Sequence, residues 1–311
     1  MTAPKAFALL GPTASGKTAL ALEAAAHLPL EIISLDSALV YRGMDIGTAK
    51  PSAAERAAVP HHLIDIVSPL QTYSAADFVG DCVRLASEIH ARGRLPLIVG
   101  GTMMYYHALT TGLNALPEAD PAVRAALQAE KAEYGLARLY DRLQQIDPDT
   151  AGRLKPADSQ RIERALEVFE ITGKPLSKHF SEQQQHAPPL DVHTAALLPE
   201  RSLVHERIAL RFKQMLSDGL IDETAALRRQ YPELTADTPA MRCVGYRQTW
   251  DYLDGAFGLE TLVEKGTAAT RQLAKRQFTW LRKIPTDTGL DTADPQHFQT
   301  ALTMMKQHFG I

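Results

Sequence analysis

The chain has 311 residues, 45% of them apolar, a net charge of −3 and two cysteines. That length and apolar content can fill one large domain plus a smaller one, and no run approaches the roughly 18 consecutive apolar residues of a membrane span. Cys82 and Cys243 lie far apart with no His or Cys at ligand spacing, so neither a disulfide framework nor a zinc site is indicated. The opening Met-Thr-Ala-Pro-Lys runs into apolar residues with no signal or transit segment, so a cytoplasmic protein is expected. With no overall positive excess, a nucleic-acid partner would have to meet a local basic surface.

The first element is an apolar strand, Ala6-Phe7-Ala8-Leu9-Leu10, followed by GPTASGKT. The spacing of Gly11 to Gly16-Lys17-Thr18 is that of a phosphate-binding P-loop, and a helix from Lys17 to about His27 follows. Backbone N–H groups of Gly11, Pro12's successors Thr13, Ala14, Ser15 and Gly16, and the helix N-terminus favour an oxyanion cluster. Lys17 adds a point charge, and the Thr18 hydroxyl can ligate magnesium. A buried strand at Glu31-Ile32-Ile33-Ser34-Leu35 delivers Asp36 at its carboxyl end. His61-His62 would point to opposite faces of a strand, one of them buried and hydrogen-bonded, with no catalytic role. Ser74 and Asp77 form a capping box ahead of a helix with Phe78, Cys82, Leu85 and Ile89 on one face, stopped by Gly93. The strand Leu95-Pro96-Leu97-Ile98-Val99 then ends in Gly100-Gly101-Thr102.

This alternation predicts an α/β fold, a P-loop parallel sheet with flanking helices whose ligands collect beyond the strand carboxyl ends. An all-helical insertion is expected near Pro117, starting at Asp120-Pro121 and helical from Val123 to Phe169, with Leu136, Leu139, Leu143 and Ile146 at helical spacing. DSQRIERALEVFEITG reads as a helix capped by Asp158 and ended at Gly173, and HFSEQQQHAPPLD as a linker. The expected domains are 1–115 and 192–311 for the core and 116–185 for the insertion. In the second core part VHTAALL reads as a strand and HERIALRFKQMLSDG as a helix with Arg207 and Arg211 one turn apart.

The loop does not name the owner of its phosphate. A GTP switch needs an Asn-Lys-x-Asp type element, yet the chain has one asparagine, Asn114, followed by Ala115. An ATP-hydrolysing enzyme usually brings an acidic residue to a neighbouring strand end, where this chain has Gly-Gly-Thr, although Asp36 can fill that place. From the residues alone Asp36 is open to three roles: general base, helix cap or magnesium ligand.

GPTASGKT, LDSALVYRGMDIGTAKP, VPHHLID, VGGTMMYY, SQRIERALEV, RCVGYRQTW and TRQLAKRQFTWLRK, in this order over nearly the whole chain, resemble the bacterial tRNA dimethylallyltransferase (tRNA isopentenyltransferase) family. The resemblance implies transfer of a dimethylallyl group from dimethylallyl diphosphate to N6 of the adenosine just 3′ of the anticodon. The loop would then hold a departing diphosphate, with fixed dipoles, Lys17 and magnesium gripping harder as charge grows on it. Asp36 becomes the base that takes the amine proton, and Thr102 resembles the family threonine near that amine. Arg207 or Arg211 can add a guanidinium to the diphosphate. Many relatives have Gln where this chain has Leu39.

For RNA, the stretch from Lys265 to Lys283 has six basic residues and no acidic one. On a helix Arg271, Lys275 and Arg282 share a face, with Arg276 alongside, while Ala274, Phe278 and Leu281 pack beside it. Arg242, Cys243, Val244, Gly245, Tyr246 and Arg247 form a turn that can meet a splayed loop. The resemblance places further tRNA contacts at Asp36, Ser37, Ala38, Leu39, Thr102 and Arg124, and at Gln160, Arg161, Ile162, Glu163 and Arg164. A monomer with no membrane contact is expected. An adenine in the anticodon stack must flip out to reach Asp36. The rival readings, a small-molecule phosphotransferase using ATP, a non-catalytic RNA-binding module and an isopentenyltransferase acting on free nucleotides, each leave some of these features unused.

Overall fold

The computed structural model describes residues 3–112, 116–182, 190–284 and 289–311. Asn114, the expected boundary at 115–116 and most of the expected linker, 183–189, lie outside them. The chain divides into two compact units, one of Met1–Thr110 with Pro188–Ile311 and one of Thr111–Ala187.

The larger unit carries a six-stranded, all-parallel sheet in the order β3-β2-β4-β1-β5-β6. Its first half runs β1 Lys5–Leu10, α1 Lys17–Ala25, β2 Leu30–Leu35, α2 Ala53–Ala58, β3 His61–His62, α3 Ala75–Ala91, β4 Leu95–Gly100 and α4 Met103–Thr111. Period-two alternation sorts β1 between two apolar layers. Ala6, Ala8 and Leu10 face the cluster built on Phe78, Cys82 and Ile89 of α3, and Phe7 and Leu9 face that of Leu20 and Ala24 of α1. The Ser74 capping box is present in full, and burial holds the Cys82 thiol up at about 12. Both histidines of β3 are satisfied: His62 Nε2 lies 2.7 Å from Glu31 Oε2, and His61 Nδ1 2.7 Å from the Val59 carbonyl.

In the smaller unit, α5 Pro121–Ile146 is capped by Asp120, and α6 Pro148–Ala151, α7 Ser159–Thr172 and α8 Leu176–Ser181 follow. The expected helical run from Val123 is broken at Gly135, whose φ of 81° and ψ of 167° suit a residue without a Cβ. It is broken again at Asp147, which caps α6 through Thr150 N–H. Leu127, Leu139, Leu143, Ile162, Ala165 and Leu166 form its core. The expected linker is helical at its start, since α8 runs into Ser181.

The chain re-enters the larger unit as β5 Asp191–Leu197, beside β1, and continues through α9 Arg201–Ser217, α10 Leu220–Gln230, a 3-10 turn at Pro239–Arg242, α11 Tyr246–Leu253, α12 Leu259–Leu281, β6 Gly289–Leu290 and α13 His297–Phe309. α9 thus starts earlier than expected, at Arg201. Among the described residues no helix is long and apolar enough to cross a membrane.

Candidate functional site

Because β4 lies between β2 and β1, the three segments that follow these strands meet at one edge of the sheet. They are the 11–18 loop after β1, Asp36 after β2 and Thr102 after β4, and they line one cleft of about 510 Å3, the size of a small-molecule site. Thr13 and Lys17 contribute the loop's share of that lining.

The loop is wound for its task. Ala14 and Gly16 have positive φ, 61° and 93°, the Ser15 N–H donates to the Pro12 carbonyl at 3.2 Å, and Gly16 caps α1. Successive turns of this kind, with the free N–H groups of a helix's first turn, make a concave site for oxyanions. Gly11, Pro12 and Ser15 are buried supports, and Thr18 is exposed in the first turn of α1. Lys17 Nζ lies 3.3 Å from the Pro12 carbonyl. Burial lowers its pKa to about 8 against the pull of the Asp36 carboxylate, and the Arg211 guanidinium lowers it further.

Asp36 is half-buried, and its Oδ1 accepts from the Ala38 N–H at 2.8 Å. Thr102 Oγ1 accepts from the Ser37 N–H at 3.0 Å, which joins the ends of β2 and β4. Ser37 and Ala38 line the cleft and Leu39 does not; the Leu39 carbonyl accepts from the Asp65 N–H at 3.1 Å.

α9 separates the two arginines. Arg211 lines the cleft half-buried, and burial lowers its pKa while the Asp36 carboxylate opposes that shift. Arg207 is exposed, with one guanidinium nitrogen 3.5 Å from the Ala14 carbonyl. Arg242, Cys243, Val244 and Gly245 line the opposite wall, and burial beside Asp36 holds the Cys243 thiol up at about 12.

Tyr246, expected in a turn open to RNA, is fully buried instead, and its hydroxyl donates to Glu223 Oε1 at 2.5 Å, so it supports the wall from within. Arg247 is held by Asp237 and Asp251. On α12 Arg271, Lys275 and Arg276 are exposed, as is Arg282 just past its end, while Ala274, Phe278 and Leu281 are buried. Arg276 also lines the cleft.

In the smaller unit Gln160 and Arg161 are exposed, Arg161 paired with Asp158 at 3.1 Å. Ile162 is corrected, being fully buried in that unit's core. Glu163 is taken up by Lys131 and Ser159. Arg124 and Arg164 share the buried Glu167 carboxylate, at 2.8 and 2.6 Å. Burial pushes the Glu167 pKa up, but the two guanidiniums outweigh it and the net shift is down.

Five further residues of the cleft carry no sequence motif of their own. Gly47 and Thr48 line the cleft from a loop held by Glu223, and Met104 and Trp280 supply apolar rim. Gln277 crosses behind the loop on the buried face of α12, and a polar residue on an apolar stripe is the pattern that marks it.

The family profile described as IPP transferase matches residues 39–284. The chain is 66% identical, over the full length of both, to the tRNA dimethylallyltransferase of Neisseria meningitidis serogroup A, and 57% identical to that of Chromobacterium violaceum over 93% of this chain and 90% of the relative. Among solved structures it superposes on the full-length tRNA isopentenylpyrophosphate transferase of Bacillus halodurans with TM-score 0.70 at 37% identity, covering 99% and 98% of the two chains. A eukaryotic dimethylallyltransferase acting on tRNA aligns with TM-score 0.78 at 28% identity, over 92% of this chain and 73% of that one. With a matched profile spanning most of its length and relatives this similar end to end, the chain belongs to the IPP transferase family.

Proposed function

We propose that the protein transfers the dimethylallyl group of dimethylallyl diphosphate to N6 of the adenosine immediately 3′ of the anticodon in tRNA, releasing diphosphate. The observation that carries this reading is the convergence of an oxyanion loop, a carboxylate and a basic helix on one cleft. Relatives of matching length carry the name tRNA dimethylallyltransferase, which supports the same chemistry.

In this reading the 11–18 loop holds the diphosphate through its N–H groups, with Lys17 and Arg211 as cations. Because both cations are disfavoured by their burial, an incoming dianion relieves that cost. Charge on the leaving oxygen then strengthens these contacts toward the transition state. The adenine nitrogen attacks the allylic carbon as the carbon–oxygen bond breaks. Its lone pair is delocalised into the ring, so its proton must leave, and Asp36 accepts it. Thr102 orients the amine beside it.

Magnesium fits the residues present. The Thr18 hydroxyl offers a hard oxygen donor, the type this ion selects, and the remaining ligands would come from diphosphate and water. Thr18 would hold it, and an ion bound there would neutralise charge on the leaving group. The exposed Arg271, Lys275 and Arg276 of α12 and the adjoining Arg282 serve the anticodon stem-loop, and the enzyme acts as a monomer in the cytoplasm.

Release of diphosphate from dimethylallyl diphosphate, measured with and without unmodified tRNA, tests the reading. RNA-dependent release supports it. Turnover of ATP without RNA, and none of the allylic donor, would return the protein to the phosphotransferases.

A further inference from the structure

Gln277 lies on the buried face of α12, between Ala274 and Phe278, at 8% exposure. Both ends of its carboxamide are committed. Oε1 accepts from the Thr13 N–H at 2.8 Å, and Nε2 donates to the Gly101 carbonyl at 2.9 Å. A carboxamide can accept at one end and donate at the other without charge, and these two backbone partners fix which end is which.

The partners belong to different walls of the cleft. Thr13 is in the loop after β1, and Gly101 immediately precedes Thr102 after β4. The three groups are packed as closely as a glycine allows: a Cβ on Gly101 would stand 2.4 Å from Gln277 Nε2 and 2.9 Å from the Gly11 carbonyl. With its polar atoms engaged by backbone, the Gln277 side chain acts through the loop and the strand end.

We propose that Gln277 is a positioning residue for the donor, holding the Thr13 amide and the Gly101-Thr102 strand end at the spacing that the diphosphate and the acceptor amine require. The proposal rests on the loop being the diphosphate site. Loosening this bridge costs donor affinity, while the exposed basic face of α12 keeps its RNA contacts.

Two variants of similar length test it. Gln277→Met removes both hydrogen bonds, and Gln277→Glu keeps the acceptor but, when ionised, loses the donor. KM for dimethylallyl diphosphate and Kd for an anticodon stem-loop RNA are measured in both and in the wild type, with thermal unfolding as a check of folding. Gln277→Met should raise KM roughly tenfold, the scale of one to two neutral hydrogen bonds, with RNA Kd within about twofold. For Gln277→Glu the KM ratio to wild type should fall between pH 8 and pH 6, because only the protonated carboxyl can donate to Gly101 while accepting from Thr13. This arm decides the matter if Gln277→Met does not fold. An unchanged KM, KM and RNA Kd rising together, or a pH-independent ratio would overturn the role. Inorganic diphosphate titrated into the same proteins separates the two levels. A wild type that binds none removes the loop's assignment, whereas equal binding by wild type and Gln277→Met removes only that of Gln277.

Discussion

The Tyr246 hydroxyl donates to Glu223 Oε1 at 2.5 Å, and the same carboxylate accepts from the backbone N–H groups of Asp45 and Ile46 at 3.0 and 2.9 Å. A tyrosine on α11 and a glutamate on α10 thereby fix the loop that brings Gly47 and Thr48 to the cleft. Tyr246→Phe should cost roughly 1.5–3 kcal/mol of stability, as for a hydrogen bond to a charged group, and leave RNA affinity within about twofold. Denaturant unfolding and an RNA titration check it. A normal stability with weakened RNA binding would restore Tyr246 as an RNA contact.

Asp36→Asn keeps the shape of the side chain and an oxygen for the Ala38 N–H, but removes the base. The chemical step should slow roughly 10²–10⁴-fold, with tRNA Kd changed less than about threefold. Single-turnover transfer and filter binding measure the two separately. A rate near wild type would return Asp36 to a capping role.

The two arginines of α9 should differ. Arg211, half-buried in the cleft, is the diphosphate partner, and Arg211→Ala should raise the donor KM roughly 10–100-fold, the worth of a charge-assisted contact. Arg207→Ala, removing an exposed guanidinium beside Ala14, should change it less than about threefold, since exposed charges are screened. The reverse order would exchange the assignments.

Lys17 gives a pH signature with two signs. Its folded pKa of about 8 lies below the ordinary lysine value of 10.5, so the unfolded chain binds more protons in that window and this group's contribution to stability rises with pH there. Affinity for inorganic diphosphate should move the other way, falling as pH rises through about 8 and the ammonium is lost. Calorimetric titrations from pH 6.5 to 9.5 would show it. An affinity flat across that range would mean that Lys17 does not bear the anion.

On α12, replacing Arg271, Lys275 and Arg282 together by alanine should weaken tRNA binding and reduce the slope of log K against log salt by roughly two to three units. An unchanged slope would move the RNA surface elsewhere.

Local chemistry was the legible part of the site. The GxxxxGK[ST] spacing, the apolar strands and the residues at their carboxyl ends are written in consecutive positions, and these set the 11–18 loop, Asp36 and Thr102. That they meet depends on β4 inserting between β1 and β2, a pairing of distant segments that periodicity does not encode. The burial of Tyr246 and Ile162 was not legible because each sits inside a polar, basic motif, while helix phase turns its side chain inward. Gln277 shows the converse, a polar side chain placed on an apolar face because two backbone groups need it there.

The central claim is that the loop grips a leaving diphosphate while Asp36 deprotonates an adenine. Its most direct test is mass spectrometry of nucleosides from unmodified tRNA incubated with the protein, magnesium and dimethylallyl diphosphate, with ATP alone in a parallel arm. The account predicts a dimethylallyl gain on the single adenosine 3′ of the anticodon, lost in Asp36→Asn. No gain on any nucleoside, together with consumption of ATP, would contradict it.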